Sequence, residues 1–232
     1  MADYRKTFPK PNTLLMVVHV AHPAQVHDNV NIAYNEGADG VFLINHRIPA
    51  QALKDIYEEA RNLYPTWWVG LNFLDLLTQE ALAFAPPCAS GLWADNAGVH
   101  ESGDDPCADA KAISAVREQF PGLYFGGIAF KYQAPVQNAA EVARLAVPYV
   151  DVLTTSGEAT GHAPSVEKIQ TMRNAVGSHP LAIASGITPE NVERYCAYAD
   201  CFLVATGVSY SHTQLNPQRV RKLVRVLSSM RQ

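Results

Sequence analysis

The stretch "LAIASGITPENVERY", residues 181–195, opens as a short apolar strand and breaks at Ser185 and Gly186. It then places Thr188 and Pro189 where a helix cap and a first helical turn belong. A strand apolar on both faces, a glycine turn and a helix start make one βα unit of a parallel sheet. The fold therefore depends on how many such units the chain holds.

Working outward, the same kind of run recurs at "LLMVVHV" (14–20), "DGVFLIN" (39–45), "TWWVGLN" (66–72) and "SGLWADN" (90–96). It continues at "LYFGGIAF" (123–130), "DVLTTS" (151–156), "LAIAS" (181–185) and "CFLVAT" (201–206). Helical patterns lie between the strands. Leu53, Ile56, Ala60 and Leu63 form one face of 50–64, and Ala112, Ala115, Val116 and Phe120 one face of 108–120. Val220, Leu223, Val224 and Leu227 do so in 216–230. Eight strands alternating with eight helices predict a single (β/α)8 TIM barrel over residues 1–232. A six-stranded doubly wound sheet is the rival, and it leaves two βα units unplaced.

A 232-residue chain suits one barrel, and its 48% hydrophobic and 17% charged residues are ordinary for a globular core. A net charge of -4 offers no basic footprint for nucleic acid. No apolar run reaches the length of a membrane span. "MADYRKTFPKPNTLL" has no signal-peptide core, and Cys88, Cys107, Cys196 and Cys201 form no CxxC pair. A cytoplasmic protein with reduced thiols is expected, and a homo-oligomer is compatible with the composition.

In this count residues 181–195 form strand seven and its loop, which opens on the face where barrels place their chemistry. Strand eight ends beside it in "ATGVS". Two adjacent glycine turns, one leading into a helix N-terminus, predict a phosphate cradle from Ser185, Gly186, Thr206 and Gly207. Loop six, "TSGEATGHAP" (155–164), adds glycines and hydroxyls but no Walker lysine. Asp39, Asp151 and Asp200 each precede a strand, at the opposite end, and read as structural.

The chain resembles the BtpA family, which includes SgcQ-like proteins, from "LLMVVHV" to "NPQRV". The residues that carry the likeness are Asn45, the "VGLN" ending at Asn72, Lys131 in "AFKYQAP", and Ser156-Gly157 to Thr160-Gly161. "SGITPENV" (185–192) and "DCFLVATGVS" (200–209) complete it. Tyr132 stands where the family usually has His, Ser156 where its loop-six motif has Thr, and "LWADNAG" departs from the family's fourth strand. The resemblance implies a phosphate-binding TIM barrel, in a group named for a role in photosystem I biogenesis. It also implies ligand contacts from Asn45, Asn72, Ser156, Gly157, Thr160 and Gly161.

Strand ends supply the candidates for chemistry. Asp95 after strand four is the leading general acid or base, Lys131 after strand five its electrostatic partner, and Glu158 in loop six a second acid. The expected ligand is a small phosphorylated metabolite, phosphoribosyl or nucleotide-like. An accessory protein keeping the pocket as a sensor is the alternative, and FMN could use the same phosphate site. His19, His22 and His27 do not share one helix face, so no metal site is expected from them, with His19 read as a core residue. Asp104 and Asp105, in the long loop 96–106, offer at most a weak Mg²⁺ site.

Overall fold

The computed structural model describes residues 3–231. Eight parallel strands close into a barrel in chain order: β1 (Thr13–Val20), β2 (Gly40–Asn45), β3 (Trp68–Asn72), β4 (Gly91–Ala94), β5 (Leu123–Gly127), β6 (Val152–Ser156), β7 (Leu181–Ala184) and β8 (Cys201–Val204). β1 pairs with β2 and with β8, which removes both sheet edges. The expected (β/α)8 architecture is the one observed.

The helices around the barrel are α2 (Pro23–Asn35), α3 (Ala50–Leu63), α4 (Thr78–Phe84), α5 (Ala108–Arg117), α6 (Ala139–Ala146), α7 (Val166–Val176) and α8 (Pro217–Met230). A four-residue helix, α1 (Tyr4–Thr7), precedes β1. The sequence reading expected an α-helix after strand seven, capped by Thr188. Instead a 3-10 turn, Val192–Tyr195, fills that place behind Asn191. Asn191 sets this path: its Oδ1 accepts the Thr188 N–H and its amide donates to Gly186 O, which ties the turn back onto the end of β7. β8 is followed by a second 3-10 turn, Thr206–Val208, and a hairpin of β9 (Ser209–Ser211) and β10 (Gln214–Leu215).

Strand alternation sorts the apolar residues into two layers. Leu15, Val17, Phe42, Ile44, Trp68, Trp93, Leu123 and Phe125 fill the barrel interior. Leu14, Met16, Val18, Val41, Leu43, Val69 and Leu71 face the helices. The interior is unusually aromatic, and glycine makes room for it: a Cβ at Gly70 would lie 2.5 Å from the Phe42 ring, and one at Gly91 2.5 Å from Trp68. Trp67 packs instead against the helix layer. α1 closes the bottom, with Tyr4 and Phe8 buried and the Tyr4 hydroxyl donating to Thr13 Oγ1 at 2.9 Å.

The three aspartates that precede strands repeat one device. The backbone N–H of Asp39, Asp151 and Asp200 donates to the carbonyl of Leu14, Tyr124 and Leu181 respectively. Each carboxylate then accepts the N–H of that same residue, at 2.8, 2.7 and 2.9 Å. An arginine covers each pair: Arg231 on Asp39, Arg117 on Asp151, Arg173 on Asp200. The first turns of β1/β2, β5/β6 and β7/β8 are thereby stapled in register, and a one-residue slip would exchange interior for exterior side chains.

Candidate active site at the barrel mouth

The alternation that fills the interior also selects what reaches the mouth. Above Val17 on β1 comes His19; above Gly70 on β3 comes Asn72; above Trp93 on β4 comes Asp95. Asn72 is buried and its amide donates to Asp95 Oδ1 at 3.3 Å. Burial raises the Asp95 carboxyl above its ordinary value, against the opposing pull of the Lys131 charge and the Asn72 hydrogen bond.

Lys131 follows β5 on a strained path. Ala129 and Tyr132 on either side have φ of 47° and 66°, in the left-handed region that non-glycine residues avoid. The Lys131 N–H donates to Ser156 Oγ at 2.7 Å. Its ammonium lies 3.2 Å from Ser185 Oγ and 3.4 Å from Thr160 Oγ1, so it bridges the loops after β6 and β7. Ser185 is itself strained, with φ of 92°. The Lys131 charge acts on Asp95, in the electrostatic partnership expected of the two, while the hydrogen bonds of the ammonium go to hydroxyls and not to the Asp95 carboxylate.

Several residues expected to touch ligand are committed to the protein. Asn45 donates to Ile48 O at 2.9 Å and to Asp75 Oδ1 at 2.7 Å, while its oxygen accepts the Leu74 N–H at 2.7 Å. It therefore braces the loops after β2 and β3. Ser156 is fully buried, accepting from Lys131 and donating to the Gly157 carbonyl at 2.9 Å. Thr188 acts as a cap, its Oγ1 accepting the Glu190 N–H at 3.2 Å; its own N–H is taken by Asn191 Oδ1 at 2.8 Å, and Asn191 Nδ2 donates to Gly186 O at 2.8 Å.

The glycines allow close approach, but of protein backbone. A Cβ at Gly157 would lie 2.2 Å from His162 O, at Gly186 2.0 Å from Ala163 N, and at Gly207 1.8 Å from Ile187 O. The loops after β6, β7 and β8 thus interlock through main chain. Gly161, with φ of 82°, and Thr206 lie exposed on the same side, 3.8 Å apart from Gly161's Cβ position to the Thr206 hydroxyl. Glu158 is exposed in the loop, and the group its charge acts on is Lys168.

Two sets of residues escaped the sequence reading. Lys168, in the first turn of α7, leans back over the strand ends and donates to Ala129 O and Ser156 O, both at 2.7 Å. Burial pushes its ammonium down to about 8, with Glu158 pulling the other way. The signal was available: helices start at this face, and a first-turn side chain points toward its helix N-terminus.

The second set is His46 and His212. His19 is a mouth residue, not a core one: its Nδ1 lies 2.7 Å from His46 Nε2, and its ring stacks on His212 with centroids 4.2 Å apart. Burial first, then the charges of its His neighbours and Lys131, hold His19 down to about 3, and His46 is lowered for the same reasons. His22 caps α2 and His27 reaches Glu59, away from this cluster. Asp105 pairs with Lys111 at 2.7 Å. A cavity of about 340 Å³ opens at the other end of the barrel, beside Phe8, Asp39 and Trp68. There Asp39 is bonded to Leu14 and Arg231, and Arg61 to Trp67 O, while the buried Trp68 Nε1 has no hydrogen-bond partner among the described residues.

Among the described residues, no helix is long and apolar enough to cross a membrane. Solved structures with the same architecture include phosphoribosyl anthranilate isomerase from Thermus thermophilus, 16% identical, covering 94% of this chain and 100% of that one with a TM-score of 0.66. Another is (S)-3-O-geranylgeranylglyceryl phosphate synthase from Thermoplasma acidophilum in complex with its substrate sn-glycerol-1-phosphate. It is 13% identical over 99% of this chain and 100% of that one, with a TM-score of 0.68. At such identities the likeness is one of fold.

Closer in sequence are two uncharacterized proteins, from Thermococcus kodakarensis, 29% identical, and Pyrococcus horikoshii, 26% identical, each over 85 residues. The match takes in 35% of this chain and only 32% of each relative's length. The resemblance read from single residues is met over the loops after β6, β7 and β8: residues 133–229 match the model of the BtpA family.

Proposed function

We propose that the chain binds a small phosphorylated metabolite, phosphoribosyl or nucleotide-like, at the barrel mouth and performs proton-transfer chemistry on it. The carrying observation is the Lys131 ammonium, which rests on the Ser185 and Thr160 hydroxyls instead of on a carboxylate. A lysine held that way keeps its charge for an incoming anion, and the two hydroxyls add donors of their own. The phosphate lies against Lys131 and the loops after β7 and β8, where Gly186, Thr206 and Gly207 sit. Support by analogy comes from two barrels of the same fold, a phosphoribosyl anthranilate isomerase and a synthase in complex with sn-glycerol-1-phosphate.

Asp95 is the acid or base. Its raised carboxyl holds a proton closer to neutrality than an exposed aspartate does, which suits transfer to and from carbon or oxygen. Asn72 orients it. A substrate fixed by phosphate at one side of the mouth is oriented toward Asp95 on the other, and orientation contributes up to about 7–11 kcal/mol in favourable cases.

The test is calorimetric titration with inorganic phosphate and with a panel of sugar phosphates and nucleotides. Lys131→Met should weaken binding by about 1.5–3 kcal/mol, the value of a hydrogen bond to a charged group. Asp95→Asn should leave binding in place and lower turnover of the active panel member by about 10²–10⁴-fold. Unchanged affinity in Lys131→Met would refute the site. Binding without Asp95-dependent turnover would make the barrel a binding module.

A further inference from the structure

We propose that His19, His46 and His212 form a binding site for one divalent transition-metal ion, of the Zn²⁺ class, at the edge of the barrel mouth. Each offers one ring nitrogen, and these three atoms lie within 4.8 Å of one another. They come from three separate places in the chain, the end of β1, the loop after β2 and the β9–β10 hairpin. The closed order of the barrel makes β8, β1 and β2 neighbours, which brings the three together.

The convergence is built rather than incidental. The buried Gln25 on α2 donates from one amide to both His19 O, at 3.0 Å, and Thr213 O, at 2.6 Å. It thereby ties the backbone of one histidine to that of the residue after another. Buried Asn29 adds a second donor to Thr213 O at 2.8 Å and accepts the Leu215 N–H at 2.7 Å. The hairpin that carries His212 is thus fastened to the helix that follows His19. His46 and His212 are exposed and could each be hydrated alone. Three imidazoles from separate loops instead turn one nitrogen each toward a common point, the arrangement a shared ion uses.

Geometry and donor type choose the ion. Tetrahedral zinc–nitrogen bonds of about 2.0–2.1 Å put ligand nitrogens about 3.3 Å apart. The His19–His46 pair, at 2.7 Å, needs to open by a few tenths of an ångström, a small rotation of an exposed ring. Three imidazoles suit zinc and its neighbours, whereas magnesium and calcium require oxygen donors. Three protein ligands leave a fourth position open, as in catalytic rather than structural zinc sites. The Lys131 charge reaches His19 and His46, and it favours an anionic oxygen as the fourth ligand.

The site is scored separately from phosphate binding, so either reading can fail alone. The full chain, treated with chelator and dialysed, is titrated with Zn²⁺ by calorimetry and its bound metal counted; Co²⁺ gives an absorption check of coordination. One equivalent per chain is expected. His46→Ala and His212→Ala, checked for folding by circular dichroism, should each weaken binding beyond the roughly 10–100-fold that loss of an outer-sphere partner costs. His27→Ala and His100→Ala, at distant exposed positions, should bind as the parent does. A parent chain that takes up no Zn²⁺, or either mouth variant binding with parental affinity, overturns the proposal.

Discussion

Lys131 Nζ lies 3.2 Å from Ser185 Oγ, so a side chain from the end of β5 reaches past β6 to the end of β7. Ser185 presents its hydroxyl there from a backbone with φ of 92°. That conformation costs about 1–3 kcal/mol for a residue with a Cβ. The surrounding structure holds it in place.

Ser185→Gly therefore separates stability from function. Relief of strain exceeds the roughly 0.5–1 kcal/mol that glycine loses in chain entropy, so the variant should be as stable as the parent or more so. Its affinity for inorganic phosphate should fall, because Lys131 loses a fixed partner. Thermal melting and phosphate titration on the same preparation check both halves. A variant that melts lower and binds equally well contradicts both.

Asp95 gives a prediction with a definite sign. Its folded-state pKa is raised by burial, so between its ordinary value and the raised one the folded chain holds a proton that the unfolded chain has released. The associated stability is fully present below the ordinary value and is lost as pH climbs through the raised one. Asp95→Asn does not titrate, so near about pH 7 it should melt above the parent, by about 2–4 °C for each kcal/mol recovered. The gap should close toward about pH 4. Melting curves at the two pH values decide it; a variant less stable at neutral pH would show that the ionised carboxylate is favourably held.

Asp151 predicts the opposite pattern. Arg117 is 3% exposed and its guanidinium is covered by the Asp151 carboxylate. Asp151→Ala strands that charge and frees the Tyr124 N–H, a loss of about 3–5 kcal/mol. Denaturant unfolding should show it. Phosphate affinity of the remaining folded fraction should be unchanged, since the staple lies at the far end of the strands.

The barrel was legible in the sequence because a strand buried on both faces leaves a short apolar run, and eight such runs with helices between them admit few arrangements. Strand ends shifted by a residue or two; β4 stops at Ala94 and β5 at Gly127, before the loops that carry Asp95 and Lys131. The turn after β7 misled for a physical reason. Thr188 and Pro189 are good helix-start residues, but local preference gave way to the bonds by which Asn191 holds the Thr188 N–H and Gly186 O.

The site was legible in part. Asp95, Lys131, Thr160 and Ser185 follow from strand ends. Asn45 and Ser156 could not be recognised as braces, because their partners come from other loops. His46 could have been reached by carrying the inward alternation of Phe42 and Ile44 one step further. His212 had no such signal, since its place depends on Gln25 and Asn29, far away in sequence.

The main-chain interlock at Gly186 and Gly207 makes the loops after β6, β7 and β8 a single mechanical part. The loop after β7 cannot be exchanged without colliding with both neighbours, nor either neighbour without colliding with it. The loops after β1 to β4 are outside that lock, although Asn45 ties the loops after β2 and β3 to each other, so those two are rebuilt as a pair. Grafting experiments that aim to change what the barrel accepts should start from the loops after β1 to β4 and transplant those after β6 to β8 only as a block.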